Sequence, residues 1–219
     1  PLAKRLYNPS DKIYASFDHK LDATDCTKDR RCIIDRAWSW VRDKVEWSGF
    51  EKFSDVRPLQ TVVQSGHGNN WEKTLLLWRL LAQEGIQSRF ALVTTFEDRP
   101  VDQKFPDVDV FDHLVLLVRG VGSAKDQWLD PTCEYCEPGQ TGHWLSGVSG
   151  YVLDIKKTGN TAEFTPSYRP IIAKVRDHGH DKQVHRVRID ARGDATVETH
   201  VERTGRHASW YRVDNRTWS

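Results

Sequence analysis

The chain has 219 residues, and its 32 basic and 31 acidic side chains are mixed along the sequence to leave a formal charge of +1. This balance argues against nucleic acid as a main partner, and no apolar stretch reaches the ~18 residues that a membrane span needs. The 38% hydrophobic content is sufficient for a core, because nine Trp and eight Phe each bury a large area. No signal peptide is visible, and the chain begins at Pro1 and contains no Met, so we expect a piece of a longer protein.

Four cysteines fall into two local pairs, Cys26 with Cys32 and Cys133 with Cys136. Two disulfides would suit an oxidising compartment such as the periplasm or the exterior. A four-thiolate zinc site is the rival interpretation, although only "CEYC" has the spacing of a zinc knuckle. Free structural thiols are the third. These alternatives stay open here, and the pairing favours an extracytoplasmic domain.

Two long helices are predicted in the first half of the chain. In "RRCIIDRAWSWVRDKVEW" the apolar residues recur at helical spacing after Asp29, a suitable cap, and Gly49 follows at a typical stop. Residues 50–68 are predicted to connect this helix to the next. "NWEKTLLLWRLLAQ" is apolar nearly all round, which predicts a core helix that Asn70 caps and Gly85 ends.

Strands are predicted further along the chain. "SRFALVTTF", "HLVLLVRG" and "QWLD" are rich in β-branched, aromatic and aliphatic residues, which is typical of a buried sheet. After Asp154, "KKTGNTAEFTPSYRP" is predicted to be a linker. Beyond it, alternation around the turn "RGD" predicts a hairpin with one wet face. Its apolar face is predicted to contain Val187, Ile189, Ala191, Ala195, Val197, Thr199 and Val201.

Three residues follow one another at the starts and ends of these elements. Asn70 lies at the start of the core helix, His113 at the head of a strand, and Asp130 at the end of the next strand. In a nucleophile–His–Asp site, the histidine takes the proton of the nucleophile and the aspartate fixes its tautomer. Adjacent antiparallel strands would bring His113 and Asp130 side by side. As an alternative, His113 is an ordinary strand residue and Asp130, before Pro131, starts a turn.

The motif "GHGNNWEKTLLLWRLLAQEGIQSRFALV", with "FDHLVLLV" and "WLDPTC" after it, resembles the transglutaminase-like domains, which are relatives of papain. The resemblance covers about residues 30–155, and its three motifs stand in the family's order. It implies an α+β fold in which an antiparallel sheet packs on the central helix that bears the nucleophile. We therefore expect this core over residues 1–157, and over 158–219 a β-hairpin extension that belongs to a further domain.

One residue departs from the family's pattern, because Asn70 stands where the family has its cysteine. A carboxamide is a very poor nucleophile, and losing the nucleophile of such a site typically removes ~10^4-fold or more of the rate. The resemblance places His113 and Asp130 at retained triad positions. Asn69, Trp71 and His67 are expected to line the former cleft, with Trp71 in a packing role.

Three functions compete on these grounds. The first is a pseudoenzyme that binds a peptide or protein partner in the relic cleft. The second is a thiol hydrolase or acyl-transferase that acts on amide bonds and is seen here with its nucleophile substituted. Its chemistry would be of the cysteine-protease or transglutaminase type. Backbone N–H groups at the helix start would hold the oxyanion. The third is a structural spacer in an envelope protein. The first two predict an open cleft in which His113 faces residue 70, and the third predicts a filled one.

The sequence favours the first function, with no cofactor and no metal. The acids Asp107, Asp109 and Asp112 lack the spacing and the glycine of an EF-hand. The expected partners are a peptide or protein and other domains of the same longer chain. Nucleic acid and a membrane span in this segment are not expected.

Overall fold

A computed structural model of the protein has a mixed α+β fold that divides into two compact units, Pro1–Lys174 and Val175–Ser219. The structure describes residues 6–8, 10–49, 53–95, 110–120, 126–134, 136–145, 148–158, 161–171 and 180–204. Two of the acids weighed for calcium, at 107 and 109, and the C-terminal stretch "SWYRVDNRTWS" lie outside these ranges. No helix within these ranges is long and apolar enough to cross a membrane.

The described part of the first unit contains the α-helices α1 (Arg30–Lys44), α2 (Leu59–Ser65) and α3 (Asn70–Gln83). The predicted cap of α1 is confirmed, since the Asp29 carboxylate accepts a hydrogen bond from the Arg31 N–H at 2.9 Å. α3 is buried over most of its circumference, as its apolar composition predicts.

The first unit contains a five-stranded antiparallel sheet with the order β5-β4-β3-β6-β7. Its strands are β3 (Ser88–Val93), β4 (His113–Val118), β5 (Gln127–Leu129), β6 (Ser149–Thr158) and β7 (Thr161–Pro170). A short parallel pair, β1 (Glu46–Trp47) and β2 (His67–Gly68), precedes α3. β3 and β4 pair over their full length, from Ser88 opposite Val118 to Val93 opposite His113.

β4 is buried on both faces, which explains its unbroken apolar sequence. Leu114 and Leu116 belong to the main core, which also contains the apolar residues of α1 and α3. Val115 and Leu117 belong to a smaller cluster with Trp128. The start of β4 therefore lies between two packed layers, and it is there that the candidate site forms.

The linker predicted after Asp154 is wrong. The described residues of this stretch, 156–158 and 161–170, form the end of β6 and all of β7, and the two strands pair from Ser149 opposite Pro170 to Thr158 opposite Thr161. An edge strand pairs on one side only, so it tolerates the polar residues and prolines that were interpreted as a linker. The first compact unit ends at Lys174, and the boundary expected at residue 157 stays a prediction.

The predicted hairpin is confirmed in the second unit. β8 (Asp181–Ile189) pairs with β9 (Ala195–Arg203), with Val187 opposite Val197. Ala191 belongs to the turn and not to the strand face predicted for it, because β8 ends at Ile189. Among the described residues, the apolar face of the hairpin is exposed to solvent as well as the polar face. The prediction that only one face is exposed is therefore wrong.

The four cysteines form two disulfides, Cys26–Cys32 and Cys133–Cys136. The zinc and free-thiol alternatives are therefore wrong. The first bridge joins a 3-10 turn (Thr24–Cys26) to the first turn of α1, and the second closes a loop that follows β5 and Asp130. Each bridge constrains a segment beside a core element.

Candidate functional site

The start of α3 is fixed by a capping box formed by Asn69 and Glu72. The Asn69 Oδ1 accepts hydrogen bonds from the N–H groups of Trp71 at 3.0 Å and Glu72 at 2.9 Å, and the Glu72 carboxylate accepts the Asn69 N–H at 3.1 Å. The expectation that Asn70 caps the helix is wrong, and the cap is Asn69. A capping box needs an acidic residue three positions after the cap, and Glu72 lies three positions after Asn69. Asn69, expected to bind a ligand, is buried and has a structural role.

Glu72 also ties this helix start to the preceding segment. Its carboxylate is fully buried and accepts hydrogen bonds from the Arg57 Nε at 2.8 Å and Nη2 at 2.7 Å. The same Nη2 donates to the His67 carbonyl at 2.7 Å. Two-point pairing of a guanidinium with a carboxylate is geometrically restrictive, so the chain before α3 is held in one position.

Replacing Asn69 by Ala is expected to lower the free energy of unfolding by about 1–2 kcal/mol, because it leaves two N–H groups at a buried helix start without their acceptor. Urea denaturation measures the loss. Asn69→Ser is the matched control, since its hydroxyl retains an acceptor at the cap and should recover part of the stability. Equal losses in both variants would contradict the capping role.

Asn70 is the first residue of α3 and is fully buried. Its side-chain Nδ2 donates a hydrogen bond to the Asp112 carbonyl at 2.5 Å, and its N–H donates to the Gly49 carbonyl at 3.3 Å. One turn later, the Thr74 hydroxyl donates to the Leu114 carbonyl at 2.9 Å. The Asn70 and Thr74 side chains, one helical turn apart, thus bind α3 to the head of β4. Their acceptors are the carbonyls of the residues before and after His113.

The N–H groups at the start of α3 all have acceptors within the protein. Asn70 donates to Gly49, while Trp71 and Glu72 donate to the Asn69 side chain. An oxyanion site at a helix start needs N–H groups directed at the position of the developing charge. The donors expected to hold an oxyanion are therefore engaged in capping and in the Gly49 contact.

The expected proximity of His113 and Asp130 is confirmed. The His113 Nε2 lies 3.2 Å from the Asp130 Oδ2, and both side chains are fully buried. β4 and β5 are neighbours in the sheet, and Asp130 directly follows β5. The Asn70 side chain joins the backbone of Asp112, the residue before His113. The three predicted positions therefore converge at the head of β4, and their catalytic use stays a prediction.

Asp130 is held by several donors. Its Oδ1 accepts from the Thr132 N–H at 3.0 Å and hydroxyl at 2.6 Å, its Oδ2 accepts from the Trp144 Nε1 at 3.2 Å, and its carbonyl accepts from the Trp38 Nε1 at 3.2 Å. Burial by itself would raise the pKa of Asp130, but His113 and the hydrogen bonds from Thr132 outweigh it, so the pKa is lowered. The folded protein therefore favours the ionised form of Asp130 although the side chain is buried.

The sequence analysis did not identify Lys73, a buried lysine on α3, as a candidate functional residue. Lys73 is fully buried, and its Nζ donates to the Val45 carbonyl. Burial lowers the pKa of Lys73 from 10.5 to about 8, against the opposing effect of nearby carboxylates led by Glu134. The sequence feature that could have indicated a buried lysine is the position of Lys73, three residues after Asn70 in a helix whose following residues are mostly apolar.

The remaining predicted residues do not converge on the His113–Asp130 pair. The His67 side chain is 61% exposed, with its Nδ1 3.6 Å from a carboxylate oxygen of Glu46. Trp71 is buried, and its ring packs edge-on against Phe53 with centroids 5.3 Å apart, in the expected packing role. Asp112 accepts two hydrogen bonds from Thr95. Within the described ranges no group of three metal-ligating residues occurs.

No family model matches the chain, and no curated protein matches it either. Among solved structures, the chain is similar to a candidate protease from Parabacteroides distasonis ATCC 8503, with 16% sequence identity and a TM-score of 0.44. The likeness covers 59% of this chain and 24% of that protein, so the chain spans about a quarter of its length. Similarity at this level establishes neither a shared family nor a shared activity.

Proposed function

We propose that this chain is a non-catalytic domain with a transglutaminase-like, papain-related core, whose former triad positions form a buried structural network and whose surface binds a peptide or protein partner. Asn70 carries the proposal. It stands where a nucleophile would be required, it is fully buried, and its carboxamide donates to the Asp112 carbonyl. A carboxamide committed to a backbone carbonyl is a poor candidate for attacking a substrate carbonyl.

The order of elements supports the transglutaminase-like part of the proposal. A helix start at Asn70, a histidine at the head of β4 and an aspartate after the neighbouring β5 reproduce the expected sequence of positions. The His113 Nε2 lies 3.2 Å from the Asp130 Oδ2, a distance at which an aspartate can interact with an imidazole. In a domain without a nucleophile, the same contact contributes to stability and not to proton transfer.

The two other functions remain as alternatives with different requirements. A thiol hydrolase or acyl-transferase with a substituted nucleophile requires residue 70 to be reachable by substrate, and the burial of Asn70 weighs against it. A structural spacer module requires a filled site, which the burial of Asn70, His113 and Asp130 supports. Partner binding on the surface is compatible with such a filled site. The two disulfides support an extracytoplasmic location for all three functions.

The experiment is an activity assay with a histidine control. Hydrolysis of peptide amides and incorporation of a fluorescent primary amine into a glutamine-containing peptide are followed for the natural chain and for His113→Ala. We expect both proteins to show only the rate of the buffer, because no nucleophile is present to be activated. Turnover above that rate in the natural chain, lost in His113→Ala, would contradict the proposal and favour an enzyme.

A further inference from the structure

The turn that joins β8 to β9 presents two charged side chains of opposite sign. This hairpin turn consists of residues 190–194, with the sequence Asp-Ala-Arg-Gly-Asp, and all of its residues are exposed. Arg192 and Asp194 lie on either side of Gly193, and neither side chain has a hydrogen bond or an ion pair with the described part of the chain. A guanidinium and a carboxylate are therefore both open to a partner at the tip of the hairpin.

The backbone of the hairpin turn is fixed by Asp190. Its Oδ1 accepts hydrogen bonds from the N–H groups of Arg192 at 2.8 Å and Asp194 at 3.0 Å. The Asp190 carbonyl accepts the Gly193 N–H at 3.0 Å, and the Asp190 N–H donates to the Asp194 carbonyl at 2.9 Å. A turn that is ordered before binding loses little conformational entropy when a partner arrives, which favours affinity.

Gly193 keeps the space between the two charged side chains clear. Its φ of +88° lies in the left-handed region that glycine adopts without strain. Apart from its two chain neighbours, no atom lies within 4 Å of the position that a Cβ would take. The surface of a partner can therefore approach the backbone of the hairpin turn closely and reach the Arg192 and Asp194 side chains together.

Arg192 and Asp194 require different groups on a partner. A guanidinium forms two parallel hydrogen bonds with a carboxylate. A carboxylate with both oxygens open is a ligand that hard divalent cations prefer. One acidic surface that holds a divalent cation provides both groups, because its carboxylates bind the guanidinium and its cation binds Asp194. A surface of a single charge would place a like charge against one of the two side chains.

We propose that Arg192, Gly193 and Asp194 are the recognition site for a receptor protein whose acidic surface holds a divalent cation. The Asp194 carboxylate fills an open coordination position of that cation, and the Arg192 guanidinium pairs with a carboxylate of the receptor. This inference rests on the proposed function, because it names the chemistry of the protein partner of a non-catalytic domain.

The test measures binding of the full chain to the immobilised ectodomain of an integrin, a receptor that binds acidic ligands through a divalent cation. The ectodomain is first shown to bind the peptide Gly-Arg-Gly-Asp-Ser, which excludes an inactive receptor. In about 1 mM Mn²⁺ we expect the chain to bind saturably with a Kd of about 10 μM or lower, and about tenfold or more weakly in EDTA. Absence of binding up to about 100 μM chain, or binding that EDTA leaves unchanged, would overturn the proposal.

Three variants localise the binding to the hairpin turn. Asp194→Glu keeps the charge but moves the carboxylate by one methylene group, so it should weaken binding about tenfold or more. Arg192→Gln removes the guanidinium and should weaken binding about fivefold or more. Arg188→Gln, at an exposed arginine of β8, is the matched control and should leave binding unchanged. Binding insensitive to Asp194→Glu would contradict the proposal.

Failure of this inference and failure of the proposed function give different results. Loss of the receptor interaction leaves the expected absence of turnover unaffected, because the activity assay does not involve the hairpin turn. Turnover that depends on His113 would contradict the non-catalytic domain whether or not the chain binds the receptor.

Discussion

Replacing Lys73 by Met is expected to raise the free energy of unfolding by about 2 kcal/mol near pH 7. Lys73 is fully buried, and its pKa falls from 10.5 to about 8 on folding. That difference corresponds to about 3 kcal/mol of destabilisation wherever the folded protein must hold the charged amine. Met fills a similar volume without charge, and the lost hydrogen bond to the Val45 carbonyl offsets part of the gain.

The effect of Lys73 should depend on pH in a defined direction. Between about pH 8 and 10.5 the unfolded chain binds a proton at this amine that the folded protein does not, so stability rises with pH across that window. Below about pH 8 both states are protonated and the full penalty is present. The advantage of Lys73→Met over the natural chain should therefore shrink as the pH rises through this window.

Urea denaturation at several pH values measures both statements about Lys73. Lys44→Met is the matched control, because Lys44 is exposed at the last turn of α1 and its replacement should change stability by less than about 0.5 kcal/mol. A destabilised Lys73→Met protein at neutral pH would mean that the amine contributes more through its contacts than its burial costs.

Asp130→Asn is expected to lower the free energy of unfolding by about 3 kcal/mol at neutral pH. The substitution keeps the shape of the side chain but removes the charge beside His113 and places an NH2 group where donors of Thr132 or Trp144 point. The pKa of Asp130 is lowered in the folded protein, so its contribution is present above the ordinary value of 3.8 and is lost as the pH falls through the lowered value. The free energy of unfolding of Asp130→Asn should therefore change less with pH in the acid range than that of the natural chain.

A double-mutant cycle with His113→Gln separates the pair from its surroundings. If His113 and Asp130 stabilise one another, their combined loss should be smaller than the sum of the single losses by about 1 kcal/mol or more. Strictly additive losses would show that the 3.2 Å contact contributes nothing to stability, and the structural network would then be wrong.

The sequence predicts those parts of the fold that follow from apolar patterning. The core helix and the strands β3 and β4 carry long apolar runs, and such runs leave few alternatives to burial. The order of His113 and Asp130 on consecutive strands also predicts their approach, because β4 and β5 pair as neighbours.

Other features depend on tertiary contacts that no local pattern carries. Two adjacent asparagines can each cap a helix, and only the reach of Glu72 back to the Asn69 N–H decides between them. β7 contains polar residues and prolines because it lies at the sheet edge, so its sequence resembles a linker. Trp144 reaches Asp130 from a 3-10 turn 14 residues further along, which spacing alone does not predict.

The most direct test of the central claim, that the former nucleophile position is a closed structural position, is alkylation of the Asn70→Cys variant by iodoacetamide between about pH 4 and 9. The four native cysteines are held in disulfides and do not compete. We predict an introduced thiol that reacts about 100-fold more slowly in the folded protein than in urea, with no reactivity below the pH at which an ordinary thiol ionises. Fast alkylation well below the ordinary thiol pKa of ~8.5 would contradict it, because it would mean an open site in which His113 still activates a nucleophile.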